Sequence, residues 1–170
     1  MESLRVEALA PGIRPFEPED LPAMQRVRQA AFGPVFRSFR EIVGERAAAL
    51  AFSADDSEQA RLLEDLCEAG SGHRVFVAVV GGAVVGFVSF TIDADKRTGE
   101  IGLNAVHPDH AGRGIGTEMY EHALARMKEC GAALATVSTG GDPSHAPARR
   151  AYEKAGFGHA LPSVSLYKLL

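Results

Sequence analysis

The stretch that decides the fold is His107-Pro108-Asp109-His110-Ala111-Gly112-Arg113-Gly114-Ile115-Gly116. It lies between an apolar run, Ile101 to Val106, and a strongly periodic segment, Thr117 to Cys130. Glycines at three alternate positions let the backbone come close to a ligand and expose its N–H groups. A helix starting directly after them adds its own unpaired amides and its positive end. Strand, glycine turn and helix in this order form a site for phosphate or pyrophosphate. Two nucleotide motifs fail here. A P-loop needs Lys before Ser or Thr after its glycine, and Gly116 is followed by Thr117 alone. A dinucleotide fingerprint reads GxGxxG with an acid near the end of the next strand; here the glycines read GxGxG, and Ala133 to Ser138 carries no acid.

Upstream of this turn the character is β-rich. Val75 to Val80 and Ala83 to Ile92 flank a hairpin signal, Gly81-Gly82, and Glu100 to Val106 follows a polar turn. Downstream, Ile115, Met119, Ala123 and Met127 recur every four residues until Gly131, which predicts a helix. Ala133 to Ser138 reads as a strand, Ala146 to Ala155 as a short helix stopped by Gly156, and Ser163 to Leu169 as a closing strand, antiparallel to the segment from Phe157. In the N-terminal part, Gly12 to Phe16 suits an opening strand. Leu21 to Phe32 suits a helix broken by Gly33-Pro34, and Ser57 to Ala69 another. Phe36, Phe39 and Ile42-Val43 mark a helical or irregular piece between them. The class is α+β, with residues 1–170 expected to form one domain.

Composition sets outer limits. The net charge of -4 makes the whole molecule a poor nucleic-acid binder, so a phosphate-bearing ligand needs a local pocket. No run of 18 apolar residues suggests a membrane span. Met1-Glu2-Ser3-Leu4-Arg5 has no basic start and apolar core, so a cytoplasmic location is expected. Cys67 and Cys130 are isolated and read as buried thiols. None of the six histidines belongs to a zinc signature, and no metal is expected.

A second constellation is His145-Ala146-Pro147-Ala148-Arg149-Arg150-Ala151-Tyr152-Glu153-Lys154-Ala155-Gly156-Phe157. Pro147 fits the first helical turn and Gly156 its end. His145 and Tyr152 lie seven residues apart, nearly two turns, and so project toward a similar side. Tyr152 on its own is better read as a core residue packed against the sheet and hydrogen-bonded through its hydroxyl.

Together, His107 to Gly116 and Tyr152-Glu153-Lys154-Ala155-Gly156-Phe157 resemble the GCN5-related N-acetyltransferase (GNAT) superfamily, over most of the chain from Arg74 onward. The resemblance implies a mixed, bent sheet flanked by helices, whose central strands splay apart to admit acetyl-coenzyme A. It places the pyrophosphate on amides of Ala111, Gly112, Arg113, Gly114, Ile115, Gly116 and Thr117, and the pantetheine arm along Asn104, Ala105 and Val106. Ala111 stands where the family commonly has Arg or Gln, and His145 where it often has Asn.

The implied reaction is N-acetylation of a primary amine on a small molecule or peptide. Tyr152 is the expected general acid for the coenzyme A sulfur, and amides near Val106 would polarise the thioester carbonyl. Glu100, on the strand before the turn, is an expected base acting through water. His145 is the alternative base, since imidazole as a class titrates at roughly pH 6.5. Asp142 is placed to orient the amine, and Phe32, Phe36, Phe39 and the loop from Ser138 to Pro143 to line the acceptor site. A non-catalytic acyl-coenzyme A-binding or regulatory domain is the reading from another class, and O-acetylation a further one. Many relatives dimerise, so a homodimer is expected.

Overall fold

A computed structural model describes residues 11–170; the reading of Met1 to Arg5 lies outside the described residues. The strands are β1 Gly12–Pro15, β2 Arg74–Val80, β3 Ala83–Asp93, β4 Thr98–Val106 and β5 Leu134–Val137. The helices are α1 Leu21–Val43, α2 Glu45–Ala51, α3 Asp55–Cys67, α4 Ile115–Glu129 and α5 Ala146–Lys154. The strands form one sheet in sequence order, antiparallel from β1 to β4 and parallel between β4 and β5. The parallel pair is joined through α4, as a parallel pair must be by a long crossover.

Alternation along β2 and β3 sends side chains to two faces, each covered by helices. Phe76, Val88, Phe90 and Ile101 pack with Met119, Ala123 and Met127 of α4 and Tyr152 of α5. On the other face Val77, Phe87 and Ala105 pack with Met24 and Val27 of α1 and Leu63 and Leu66 of α3. Buried Arg28 of α1 pairs with Asp56 of α3 at 2.7 Å, which ties the two helices on that face.

β4 does not keep one alternation. Val88 pairs with Asn104 but Phe90 with Ile101, so β4 carries one extra residue there, a β-bulge. Ser89 Oγ, fully buried, donates to the Leu103 carbonyl at 2.9 Å inside this bulge. The bulge turns Asn104 toward α4 and α5, while Ala105 packs on the α1 face.

Three expectations are corrected. Gly33-Pro34 does not end the first helix: α1 runs 23 residues through both. Pro34 leaves the Ala30 carbonyl without its helical donor, yet buried Met24 and Val27 before it and Val35 after it hold both halves on the body. Tertiary packing overrides the local breaker. Ser163 to Leu169 forms no strand, nor does the segment from Phe157. Alternation marks a segment able to bury one face, but a strand needs a partner edge, and none pairs with it. Leu161, Val164 and Leu166 are exposed, and Tyr167 meets Phe52 edge-on at 5.7 Å. Cys67 and Cys130 are free and only half-buried, and burial pushes the Cys67 thiol up to about 11. Among the described residues no helix is long and apolar enough to cross a membrane.

Replacing Pro34 with Ala restores the missing donor to a continuous helix. The variant should be more stable by about 1 kcal/mol or more, given a penalty of roughly 3 kcal/mol for a helix-interior proline. Urea unfolding measures this; no gain would mean that the helix does not run through this position.

Candidate active site

After Val106 the chain makes a 3-10 turn, Pro108–His110, in which His107 accepts a hydrogen bond from the Asp109 N–H. Gly112 (φ +74°) and Gly114 (φ +85°) then take left-handed backbone that side-chain-bearing residues rarely adopt. Gly114 caps α4, so the helix starts at Ile115 and not at Thr117 as the periodicity predicts. The first helical N–H to close is that of Glu118, on the Gly114 carbonyl at 3.0 Å. Those of Ile115, Gly116 and Thr117 therefore lack an intrahelical acceptor and face outward at the positive helix end. Ala111 to Gly114 are exposed, and nothing lies within 4 Å of the position a Gly112 side chain would take. Arg113 is exposed with no hydrogen-bond partner among the described residues. The Ile115 side chain is buried in the core, so this residue can offer only its backbone.

Beside this cradle the sheet opens. β4 pairs with β5 only from Thr98–Leu134 to Ile101–Val137. There β5 ends while β4 continues to Val106, so Gly102 to Val106 keep an unpaired backbone edge on that side. A strand edge of this kind offers alternate N–H and C=O groups to an extended ligand. The edge leads directly into the glycine turn.

Tyr152 stands against this edge, 6% exposed, with Tyr120 of α4 beside it, 4% exposed and 4.4 Å between ring centroids. Asn104 serves both. Its amide nitrogen donates to the Gly102 carbonyl at 2.9 Å and to the Tyr152 oxygen at 3.0 Å, and its Oδ1 accepts the Tyr120 hydroxyl at 2.8 Å. The bond to Gly102 settles which way the amide points, because a carbonyl can only accept. The Tyr152 oxygen thus receives a hydrogen bond, and its own hydroxyl donates to Asn104 Oδ1 at 3.3 Å, longer than the 2.8 Å bond that the same oxygen accepts from Tyr120. Burial pushes both tyrosines above their ordinary range, Tyr120 further through its neighbour Tyr152, while the hydrogen bonds of Asn104 and Tyr120 partly offset this at Tyr152. Both are protonated near neutrality.

The end of α5 fixes the Tyr152 ring. The Gly156 N–H bonds the Glu153 carbonyl at 3.0 Å and the Phe157 N–H bonds that of Tyr152 at 3.1 Å. This is a Schellman closure around Gly156 (φ +99°), with Phe157 packed edge-on to Tyr152 at 5.9 Å.

The two expected bases lie apart. Glu100 precedes the bulge, between Gly99, whose Cα faces Met127 of α4, and Ile101, whose side chain packs on α4; alternation therefore points it to the α1 face, and it is exposed. No hydrogen bond joins it to the tyrosine pair. His145 caps α5, and its Nδ1 lies 2.5 Å from Asp142 Oδ1. Its ring stacks on Phe39 of α1 at 5.9 Å. No contact joins His145 to Tyr152 among those described, although His145 caps the helix that carries Tyr152. Asp142 is not placed to orient an amine, because its carboxylate is already taken: Oδ2 accepts from Ser38 Oγ at 3.1 Å, from the Ser144 N–H at 3.0 Å and from the Ser144 hydroxyl. Burial raises this carboxyl, but the hydrogen bonds from Ser144 and His145 outweigh it and hold it down to about 2. Of the three expected lining phenylalanines, Phe39 reaches this loop, while Phe32 and Phe36 pair with each other at 6.2 Å.

A model of the Acetyltransferase (GNAT) family matches residues 38–157. The chain belongs to the GNAT family. A GNAT-family protein from Desulfovibrio desulfuricans shares the fold at 20% identity and a TM-score of 0.68, over 89% of this chain and 87% of that one. An aminoglycoside acetyltransferase from an uncultured soil metagenomic sample, solved with sisomicin, gives 19% identity and a TM-score of 0.61 over 94% and 96%. A GNAT acetyltransferase from Brucella melitensis, solved with acetyl-CoA, gives 22% identity and a TM-score of 0.55 over 91% and 93%. A search of curated protein sequences finds no match. Membership supports acetyl transfer from acetyl-coenzyme A as the general chemistry of this GNAT chain. The residues present suit that donor: a pyrophosphate matches the open amide cradle from Gly112 to Thr117, and an amide-bearing pantetheine arm matches the unpaired edge from Gly102 to Val106. Among the described residues no group of three or more His, Cys, Asp or Glu side chains is arranged to hold a metal ion.

Sequence reasoning missed Tyr120 and the side-chain role of Asn104. A tyrosine beside Met119 on the buried helix face was the available signal, since a buried hydroxyl needs a partner. Asn104→Leu should leave two buried hydroxyls short of partners and cost about 2 kcal/mol or more in urea unfolding, at ~1–3 kcal/mol per orphaned group. The raised tyrosines also set an alkaline limit. Their stabilising protonated form is fully present below the ordinary tyrosine pKa of about 10 and is lost as pH rises through their folded values. Stability should therefore fall above about pH 10 in wild type, and less steeply in Tyr120→Phe, by urea unfolding across pH.

Proposed function

We propose that this protein is an acetyl-CoA-dependent N-acetyltransferase acting on a primary amine of a small molecule or peptide. The observation that carries the reading is Tyr152, protonated, buried beside the free β4 edge, and held by the Asn104 amide, its own hydroxyl making only a longer bond of 3.3 Å that a thiolate can replace. Acetyl-CoA supplies an acyl thioester, with an electrophilic carbonyl carbon and a thiolate leaving group.

The chain's own residues divide the remaining work. Amides from Gly112 to Thr117 hold the diphosphate, and the backbone of Asn104, Ala105 and Val106 orients the arm. The bulge at Gly102 and Leu103 and the early end of β5 keep that backbone open. Tyr152 donates its proton to the departing sulfur, so that an unstabilised thiolate is not expelled into a buried site. The Asn104 amide hydrogen bond to the Tyr152 oxygen supports the charge that develops there as the proton leaves. A homodimer remains part of the proposal through the resemblance, and the net charge of -4 gives no reason to add a nucleic-acid partner.

Thiol release from acetyl-CoA, measured across a panel of primary amines with product masses, tests the activity. At least one amine should accelerate release and gain one acetyl group. Tyr152→Phe should lower kcat roughly 10²-fold while changing coenzyme A affinity by calorimetry less than about threefold. Coenzyme A binding without release by any amine would make the chain an acyl-CoA-binding or regulatory domain. A hydroxylamine-labile product would mark O-acetylation.

A further inference from the structure

We propose that Tyr120 is a positioning residue for the Tyr152 acid: its hydroxyl, bonded to Asn104 Oδ1, turns onto the Tyr152 oxygen as that oxygen gives its proton to sulfur. The proposal rests on the acetyl-transfer reading above and adds the residue that supports the charge the proton leaves behind.

One amide serves two phenols here. Asn104 Oδ1 accepts the Tyr120 hydroxyl at 2.8 Å and the Tyr152 hydroxyl at 3.3 Å, while its Nδ2 donates to the Tyr152 oxygen at 3.0 Å. Both hydrogens of that nitrogen are committed, one to Tyr152 and one to the Gly102 carbonyl at 2.9 Å. A second donor to an ionising Tyr152 therefore has to come from another group. Tyr120 is that group, since its hydroxyl also hydrogen-bonds Tyr152. The turn needs rotation about one C–O bond only, and the ring stays where it is.

The site makes this support worth having. The rings lie 4.4 Å apart, 4% and 6% exposed, inside the apolar cluster of Ile115, Met119 and Ala123. A side chain at Gly116, one turn before Tyr120, would lie 3.7 Å from Ala151, 3.8 Å from Val106 and 3.9 Å from Tyr120, so α4, α5 and β4 converge at this point. A phenolate left there without donors is costly. Among the described residues no charged side chain shifts either phenol, so neutral donors carry the charge. By turning, Tyr120 exchanges a bond to a neutral carbonyl for one to an anion, the stronger of the two.

The same contacts decide which phenol is the acid. Burial raises both; Tyr152 raises Tyr120 further, whereas the bonds from Asn104 and Tyr120 act in the opposite direction at Tyr152. Tyr152 thus gives the proton and Tyr120 keeps its own. In the transfer the amine nitrogen forms the C–N bond and its proton passes to solvent. The C–S pair goes to sulfur, the Tyr152 O–H bond breaks and the S–H bond forms. The Tyr120 O–H bond stays intact throughout. Solvent returns a proton to Tyr152 once the thiol has left, and a neutral amine and a thioester have become an amide and a thiol.

A double-substitution cycle in the full chain, with the fastest amine from the panel, tests the role. Tyr120→Phe keeps the ring and leaves Asn104 Oδ1 with the Tyr152 hydroxyl as donor. Coenzyme A affinity by calorimetry and the KM for acetyl-CoA should change less than about threefold. Its kcat should fall about 10- to 100-fold, the value of a hydrogen bond to a charged group. In a Tyr152→Phe background the same substitution should change kcat less than about twofold, because no phenolate forms. A ring that only packs would act alike in both backgrounds. Equal loss in both, no loss in either, or a change confined to KM overturns the proposal. If Tyr152→Phe leaves kcat unchanged, or no amine is acetylated, the acetyl-transfer reading fails first and the role of Tyr120 with it.

Discussion

The active half of the molecule depends on a short partnership. β4 and β5 share four register pairs and then part, because β5 ends at Val137 while β4 runs on to Val106. A sheet interior without partners is costly, since each buried backbone group needs a bond. Here the cost is moderated at the bulge, where Ser89 and the Asn104 amide bond the carbonyls of Leu103 and Gly102. What stays unpaired faces the opening between the strands, next to the free amides of α4. The proposed donor site is the place where the sheet's own hydrogen bonding stops.

The two sides of this opening are supported from different faces. On the α4 side, Tyr120, Asn104 and Tyr152 form a small polar network inside an apolar cluster, with the Schellman closure at Gly156 holding the ring from below. On the α1 side, the continuation of that helix past Pro34 delivers Ser38 and Phe39 to the loop that carries Asp142 and His145. A helix ended at Gly33 would leave the carboxylate without Ser38 and the imidazole without its stacking partner. The helix that Gly33-Pro34 would locally interrupt is therefore what joins the N-terminal half to the loop before α5.

Much of this was legible in the residues. The glycine turn, the four-residue spacing from Ile115 to Met127 and the Pro147 to Gly156 helix carry local physics, and each sits where that physics puts it, with α4 starting two residues early. The strands β2, β3 and β4 were readable because alternation and turn residues coincide. The failures share one cause. Pro34 is a helix breaker by local rules and Ser163 to Leu169 a strand former, but packing holds the first in a helix and no partner edge pairs with the second. The Asn104 side chain was read only as backbone, because a strand's alternation does not reveal the bulge that redirects it.

By itself, then, the sequence determined the strands β2 to β4, the helices α4 and α5 and the open glycine turn between them, since capping, turn conformation and hydrophobic period act over a few neighbouring residues. It did not determine which polar groups meet. Asn104 bridges to residues 16 and 48 positions away, and Ser38 reaches Asp142 across 104. Such pairs exist only once the sheet and helices are packed, because each unpaired partner is too weak to seek the other along an unfolded chain. The glycine turn marks an open set of amides suited to a donor's phosphates. The tertiary structure decides which polar groups gather around Tyr152, because Asn104 and Tyr120 reach it only once β4, α4 and α5 are packed.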